Sequence, residues 1–185
     1  MTIGNGAMLP LSGNIHNTGT ISLNSTGAET DLQLVGHGIL LEGGGQVLLS
    51  DNSENSVSGA VSDVTLTNID NTMSGAGQLG EGTLSLVNQG TINATGIDAL
   101  EIDTGSNIIV NSGTIAVSGS GGLVIDSNVD NSGLLWAHGA NITLNGIVSG
   151  GGTALMDGVA TIEFGAASSA HVGLDAAGHR DNRAP

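Results

Sequence analysis

The apolar residues of this chain recur in one short phrase. Residues 86–94 read Leu-Val-Asn-Gln-Gly-Thr-Ile-Asn-Ala, residues 109–117 read Ile-Val-Asn-Ser-Gly-Thr-Ile-Ala-Val, and residues 129–137 read Val-Asp-Asn-Ser-Gly-Leu-Leu-Trp-Ala. Counted from the asparagine of each copy (Asn88, Asn111, Asn131), the position two before is apolar (Leu86, Ile109, Val129) and so is the position four after (Ile92, Ile115, Leu135). The position six after is small or apolar (Ala94, Val117, Ala137). Strand side chains alternate between faces, so even offsets share one side, and that side carries the apolar atoms. Each copy therefore predicts a strand, a corner and a second strand. The anchors lie about 20 residues apart, a spacing that belongs to stacked solenoid coils.

Each anchor asparagine belongs to the inward series but stands just before a glycine, where the chain must turn. Glycine would supply a positive backbone angle at the corner, and a stacked asparagine can bond both its own turn and the amide one coil away. A ladder of buried amides is the expected result, because a buried polar group without a partner costs about 1–3 kcal/mol. The phrase also fits at residues 15–23, with Asn17 as anchor, and in degenerate form from Asn71, where Met73 replaces the glycine. Further alternating strands fall at residues 32–34, 39–41, 46–49, 64–71, 100–102, 123–125, 142–144 and 161–164. Residues 51–62, rich in Ser, Asn and acid, read as a polar loop between coils. The division expected is a lead over residues 1–12, a repeat array over 13–165, and a frayed tail over 166–185. The array amounts to an all-β parallel solenoid of about six to eight coils, each adding roughly 4.8 Å.

Composition narrows the interior. With 32 glycines, one Trp, one Phe and no Tyr among 185 residues, the core must be aliphatic. No lysine is present and no segment sustains a 3.6-residue apolar stripe, so helices are not expected. Seventeen acidic residues face two arginines, Arg180 and Arg183, for a formal net charge of −15. Such a chain repels phosphate backbones and anionic headgroups, so nucleic acid is not an expected partner. No run of apolar residues reaches the length of a membrane span, and residues 1–14 lack the basic and apolar regions of a signal peptide. An export signal, if there is one, is expected outside this chain.

Several stretches resemble the repeats of large bacterial surface proteins of the autotransporter-passenger and filamentous-haemagglutinin type. They are Asn-Thr-Met-Ser-Gly-Ala-Gly-Gln-Leu-Gly (71–80), residues 86–94, Asn-Ser-Gly-Thr-Ile (111–115) and Ile-Glu-Phe-Gly-Ala-Ala-Ser-Ser-Ala (162–170). The resemblance runs over roughly residues 13–170. It implies a right-handed parallel β-helix, carried to the cell surface and used as an adhesive or spacing stalk. No membrane barrel or secretion domain accompanies the repeats here, so the chain reads as a piece of such a protein.

Candidate chemistry is sparse. Parallel β-helices also host enzymes, but fold does not decide activity. A lyase would need a basic residue, and the array holds no Lys or Arg. A hydrolase would need two carboxyls across one face; Asp98, Glu101, Asp103, Asp126 and Asp130 cluster in sequence but alternate toward solvent. The chain is therefore expected to be non-catalytic, with no cofactor. Residues 51–55 (Asp-Asn-Ser-Glu-Asn) loosely resemble a calcium loop but lack its glycine and bidentate Glu, so no metal site is expected. The histidines His16, His37, His138, His171 and His179 show no ligand spacing. Leu134 and Trp136 occupy odd, outward offsets and form the candidate ligand contact, for a host or environmental glycan or a surface protein. Open coil ends would further invite end-to-end self-association.

Overall fold

The computed structural model describes residues 1–165 and the backbone of a strand at Gly173–Ala176. The expected tail, with Arg180, Arg183, His171 and His179, otherwise lies outside the described residues. The chain winds as a parallel β-solenoid in which every third strand joins the same sheet, giving sheets of nine, eight and seven strands. All strand pairs are parallel. Seven coils therefore carry all three sides. We call the sheets first, second and third in the order the chain enters them. No helix occurs among the described residues.

Inward residues stack by identity of shape. In the first sheet Ile21, Val47, Met73, Ile92, Ile115, Leu135 and Ala154 lie directly above one another. In the second, Leu32, Val57, Leu79, Ile102, Ile125 and Leu144 form the equivalent file. Most are fully buried. Covering a Leu or Ile side chain in this way contributes about 1.5–3 kcal/mol each, and the branched side chains suit the pleated, crowded interior.

The corner from the third sheet to the first holds the amide file. Asn68, Asn88, Asn111 and Asn131 are successive register partners or direct neighbours. Each Nδ2 donates to the Oδ1 of the next: Asn68 to Asn88 at 2.9 Å, Asn88 to Asn111 at 2.8 Å, Asn111 to Asn131 at 2.7 Å. The same Nδ2 groups also donate to corner carbonyls, such as Thr114 O from Asn88. These side chains are almost wholly buried and none is left unsatisfied.

The structure corrects the sequence reading at four places. Asn68, not Asn71, takes the file position in its coil, because that corner is one residue longer: Met73 aligns with Ile92 and Thr72 with Thr91. Asn71 instead accepts a bond from Asn17 at 2.9 Å, two coils away. The coil between them has Gly45 there, and any Cβ on Gly45 would sit 2.6 Å from Asn17 Nδ2. The corner glycines serve close approach, not a positive angle. Gly90, Gly113 and Gly133 keep ordinary φ values, yet a Cβ on Gly113 would overlap the carbonyl oxygen of Gly90 in the coil before.

The polar loop read over residues 51–62 shrinks to a turn, since Asn55–Gly59 is a buried strand of the second sheet. Its Val57 points in, and its serines are small enough to be covered on the outer face. Finally, residues 1–12 are not a separate lead. Thr2–Gly4 and Met8–Leu11 pair with the next coil and extend the first and second sheets.

Two substitutions test this packing. Asn111→Ala removes the acceptor of Asn88 and the donor to Asn131, and is expected to lower unfolding free energy by about 2–4 kcal/mol, against under about 0.5 kcal/mol for exposed Gln89→Ala. Gly113→Ala forces a methyl into the neighbouring coil and is expected to cost about 1–3 kcal/mol in urea denaturation.

Candidate functional site

Leu134 and Trp136 lie on strand Leu134–His138 of the first sheet, whose burial alternates with Leu135 and Ala137 inward. Trp136 faces outward, half-buried, between register partners Ala116 and Leu155. Ala116, although on the outer side, is only 5% exposed, as a methyl flanked by larger residues would be. The indole Nε1 donates to Asp157 Oδ2 at 3.3 Å on the next coil. His138 contacts the other oxygen of Asp157 through Nδ1, and its ring lies 5.2 Å from the indole at 53°. The indole is thus held by one edge with part of its body in solvent. This arrangement leaves a small apolar platform rather than a pocket.

The deeper concavity lies elsewhere, on the outer face of the second sheet. A cleft of about 490 Å³ is lined by Glu29, Ser53, Glu54, Ser56, Gln78 and Glu81, with Asn55. From the sheet come Ser56 and Gln78, which stand in a row of consecutive register partners across four strands, Asp31, Ser56, Gln78 and Glu101. Glu29 and Glu54 stand on the corners that enter this sheet, and Glu81 on the corner that leaves it. Carboxylates therefore rise on both rims of one groove.

Polar bonding ties most of this row together. Ser58 Oγ reaches both oxygens of Asp31 at 3.0 Å. Gln78 Nε2 donates to Glu101 Oε2 at 3.3 Å. Asn55 is spent on its own turn, donating to the Ser50 and Asn52 carbonyls. Ser56 is different. It is 1% exposed, and its hydroxyl lies beside the carboxylates of Asp31 and Glu81, lowering the pKa of both against the burial that raises it.

Burial, then the neighbouring Glu29 charge, pushes the Asp31 carboxyl above its ordinary range, against the lowering effect of Ser58. Glu81 is raised too, by partial burial and then by Asp31, Glu29 and Glu54, even though much of its side chain meets solvent at the rim. Glu101 is raised by burial and by Asp126 and Asp103 beside it. Glu81 also carries a positive φ of 50°, the only such non-glycine among the described residues, between Gly80 and Gly82.

Of the acids that stood out in sequence, Glu101, Asp103 and Asp126 lie beside one another. Asp98 donates its amide to Asp51, Asp103 caps its own turn at Gly105, Asp126 accepts from Asn145, and Asp130 lies on the third sheet. In the residue 51–55 turn, Asp51 Oδ1 and Asn52 Oδ1 are taken by backbone amides. His16, His37 and His138 are exposed and lie beside Glu42, Asp63 and Asp157. Among the described residues no three His, Asp or Glu side chains converge as metal ligands would. The cleft itself was invisible in sequence because Glu29, Glu54 and Glu81 are about 25 residues apart. That spacing is one coil, and the coil period could have found it. No protein-family model, curated protein or solved structure matches this chain.

The raised acids give stability a definite slope with pH. Between their ordinary range and their raised values, Asp31, Glu81 and Glu101 hold more protons folded than unfolded, so their contribution grows as pH falls through that window and is smallest above it. The melting temperature is expected to rise on going from pH 7 to about pH 5, and the rise to flatten in the triple variant Asp31→Asn, Glu81→Gln, Glu101→Gln. Glu81→Gly, which relieves the left-handed backbone, is expected to stabilise the chain by about 1 kcal/mol in urea denaturation.

Proposed function

We propose that this chain is a non-catalytic segment of the rod of an exported bacterial surface protein of the autotransporter-passenger or filamentous-haemagglutinin kind, holding adhesive contacts away from the cell. The observation that carries this reading is the unbroken parallel ladder along all three sheets, seven coils deep. At roughly 4.8 Å per coil this makes a rod of about 34 Å. Each coil bonds the next along its backbone, and four of them also through the buried amides of Asn68, Asn88, Asn111 and Asn131, so bending the rod strains many hydrogen bonds at once. The acidic surface supports an extended role as well, since rods of like charge repel one another.

The adhesive contact in this reading is the platform of Leu134 and Trp136, with Leu155 beside it. An indole held at one edge by Asp157 can lay its face on a sugar ring or an apolar patch of a partner protein with little loss of side-chain freedom. The chain has one tryptophan, so its fluorescence reports this surface alone. Glycan-array and protein-overlay binding is expected for the wild type and lost in Trp136→Ala, with an emission shift on binding. Binding that persists unchanged in Trp136→Ala removes the platform from the account.

A further inference from the structure

The first sheet turns two columns of side chains outward, one running from Thr20 to Thr153 and the other from Ser22 to Leu155. Neither column holds a charged residue at any of its positions. The chain carries 17 acids, and the outward rows of the other sheets include Asp31 and Glu101 on the second and Glu42 and Asp130 on the third. One face of an otherwise acidic rod is therefore neutral.

Within that face the chemistry is graded along the rod. Leu134, Trp136 and Leu155 form the apolar end. On the three coils before it, the column of Trp136 continues as Ala116, Asn93 and Ser74, flanked by Thr114, Thr91 and Thr72. Ala116 is far smaller than the indole beside it, so the face steps down from Trp136 toward the earlier coils. The half-exposed hydroxyls of Thr72, Thr91 and Thr114 bond no other protein group among the described residues, and the Asn93 side chain is engaged only through its oxygen, by Ser118. Donors and acceptors thus stand open in a row that begins at an aromatic face.

This combination selects its ligand. The core of a protein interface is a broad apolar patch, whereas here the apolar atoms occupy one end and the rest is hydroxyl and amide. A pyranose ring has the matching pair of surfaces, a face of C–H groups to lie on an indole and a rim of hydroxyls to bond the threonines. No lysine or arginine occurs among residues 1–165, and the formal net charge of −15 repels uronate or sulfated chains. Coils follow one another at roughly 4.8 Å, close to the length of one sugar in an extended β-linked chain, so a glycan laid along the rod meets one coil per ring.

We propose that this neutral face binds an extended, uncharged β-linked polysaccharide along the rod axis, one sugar on Trp136 and the next three over the coils of Thr114, Thr91 and Thr72. The proposal rests on the reading of Leu134 and Trp136 as the adhesive contact and narrows its partner to one chemical class. Trp136 anchors a single ring; the threonine hydroxyls make the site longer than that ring.

Isothermal titration of the full chain with cellobiose, cellotetraose and β-1,4-linked tetramannuronate, which adds a carboxylate to each ring, tests this. Cellotetraose is expected to bind about tenfold tighter than cellobiose, and tetramannuronate at least about tenfold weaker than cellotetraose. The double variant Thr72→Val, Thr91→Val keeps the β-branched shape and should melt at or above the wild-type temperature. It should weaken cellotetraose by about tenfold, the loss of two hydrogen bonds, and leave cellobiose, which reaches only Trp136 and the Thr114 coil, within about twofold. The proposal is overturned if tetramannuronate binds as tightly as cellotetraose, if cellotetraose gains nothing over cellobiose, or if the double variant binds cellotetraose as the wild type does. Failure of all three sugars to bind, while a protein overlay still requires Trp136, overturns it and leaves the adhesive platform standing. Cellotetraose binding that persists unchanged in Trp136→Ala overturns both.

Discussion

The structure depends on one constraint: each coil must lie on the one before it at strand spacing, in register, with no side chain between the two backbones at the corner. The amide file of Asn68, Asn88, Asn111 and Asn131 enforces this from inside, and the bare corners at Gly90, Gly113 and Gly133 permit it from the backbone side. The two are one device. An asparagine carries a donor and an acceptor on the same short stem, so it can receive from one neighbour and donate to the other indefinitely. A glycine two residues later leaves the space in which the next corner seats. Slippage by one residue would turn every inward aliphatic residue to solvent and leave the amides unpaired.

From that register the outer faces follow. Because equivalent positions stack, residues one coil apart in sequence become lateral neighbours, and chemistry scattered along the chain is gathered into columns. The second sheet thereby collects Asp31, Ser56, Gln78 and Glu101 in one row, while corners on either side raise Glu29, Glu54 and Glu81 above it. The first sheet gathers Ala116, Trp136 and Leu155. One face is thus an acidic groove and another a small apolar platform. A solenoid can carry two unrelated surfaces on one interior because its outward residues contribute little to stability and are free to vary.

Much of this architecture was legible in the amino-acid sequence. The inward columns could be read because period-two alternation repeats whenever the coil does, and the three cleanest copies place Ile92, Ile115 and Leu135 in one file. What could not be read has identifiable causes. A one-residue longer corner disguised Asn68 as part of a strand and promoted Asn71 in its place. The strand Asn55–Gly59 looked like a loop because three of its five residues are Asn or Ser, and only the neighbouring coils supply the Asp31 carboxylate and the cover that allow polar residues to be buried there. The corner glycines betrayed their presence but not their reason, since steric overlap with another coil has no local signature. The acidic groove escaped notice because its members are distant in sequence and individually look like solvated acids.

The most direct test of the stacked register uses cysteine pairs, for which the chain offers an empty background with no native cysteine. Val110 and Asp130 are exposed register partners on adjacent coils of the third sheet, within the Cα separation a disulfide requires. The pair Val110→Cys with Asp130→Cys is expected to cross-link readily on mild oxidation. The displaced pair Val110→Cys with Ser132→Cys is expected to stay reduced under the same conditions. Cross-linking that fails for the registered pair, or proceeds equally for the displaced one, would contradict the winding on which the amide file, the groove and the platform all rest.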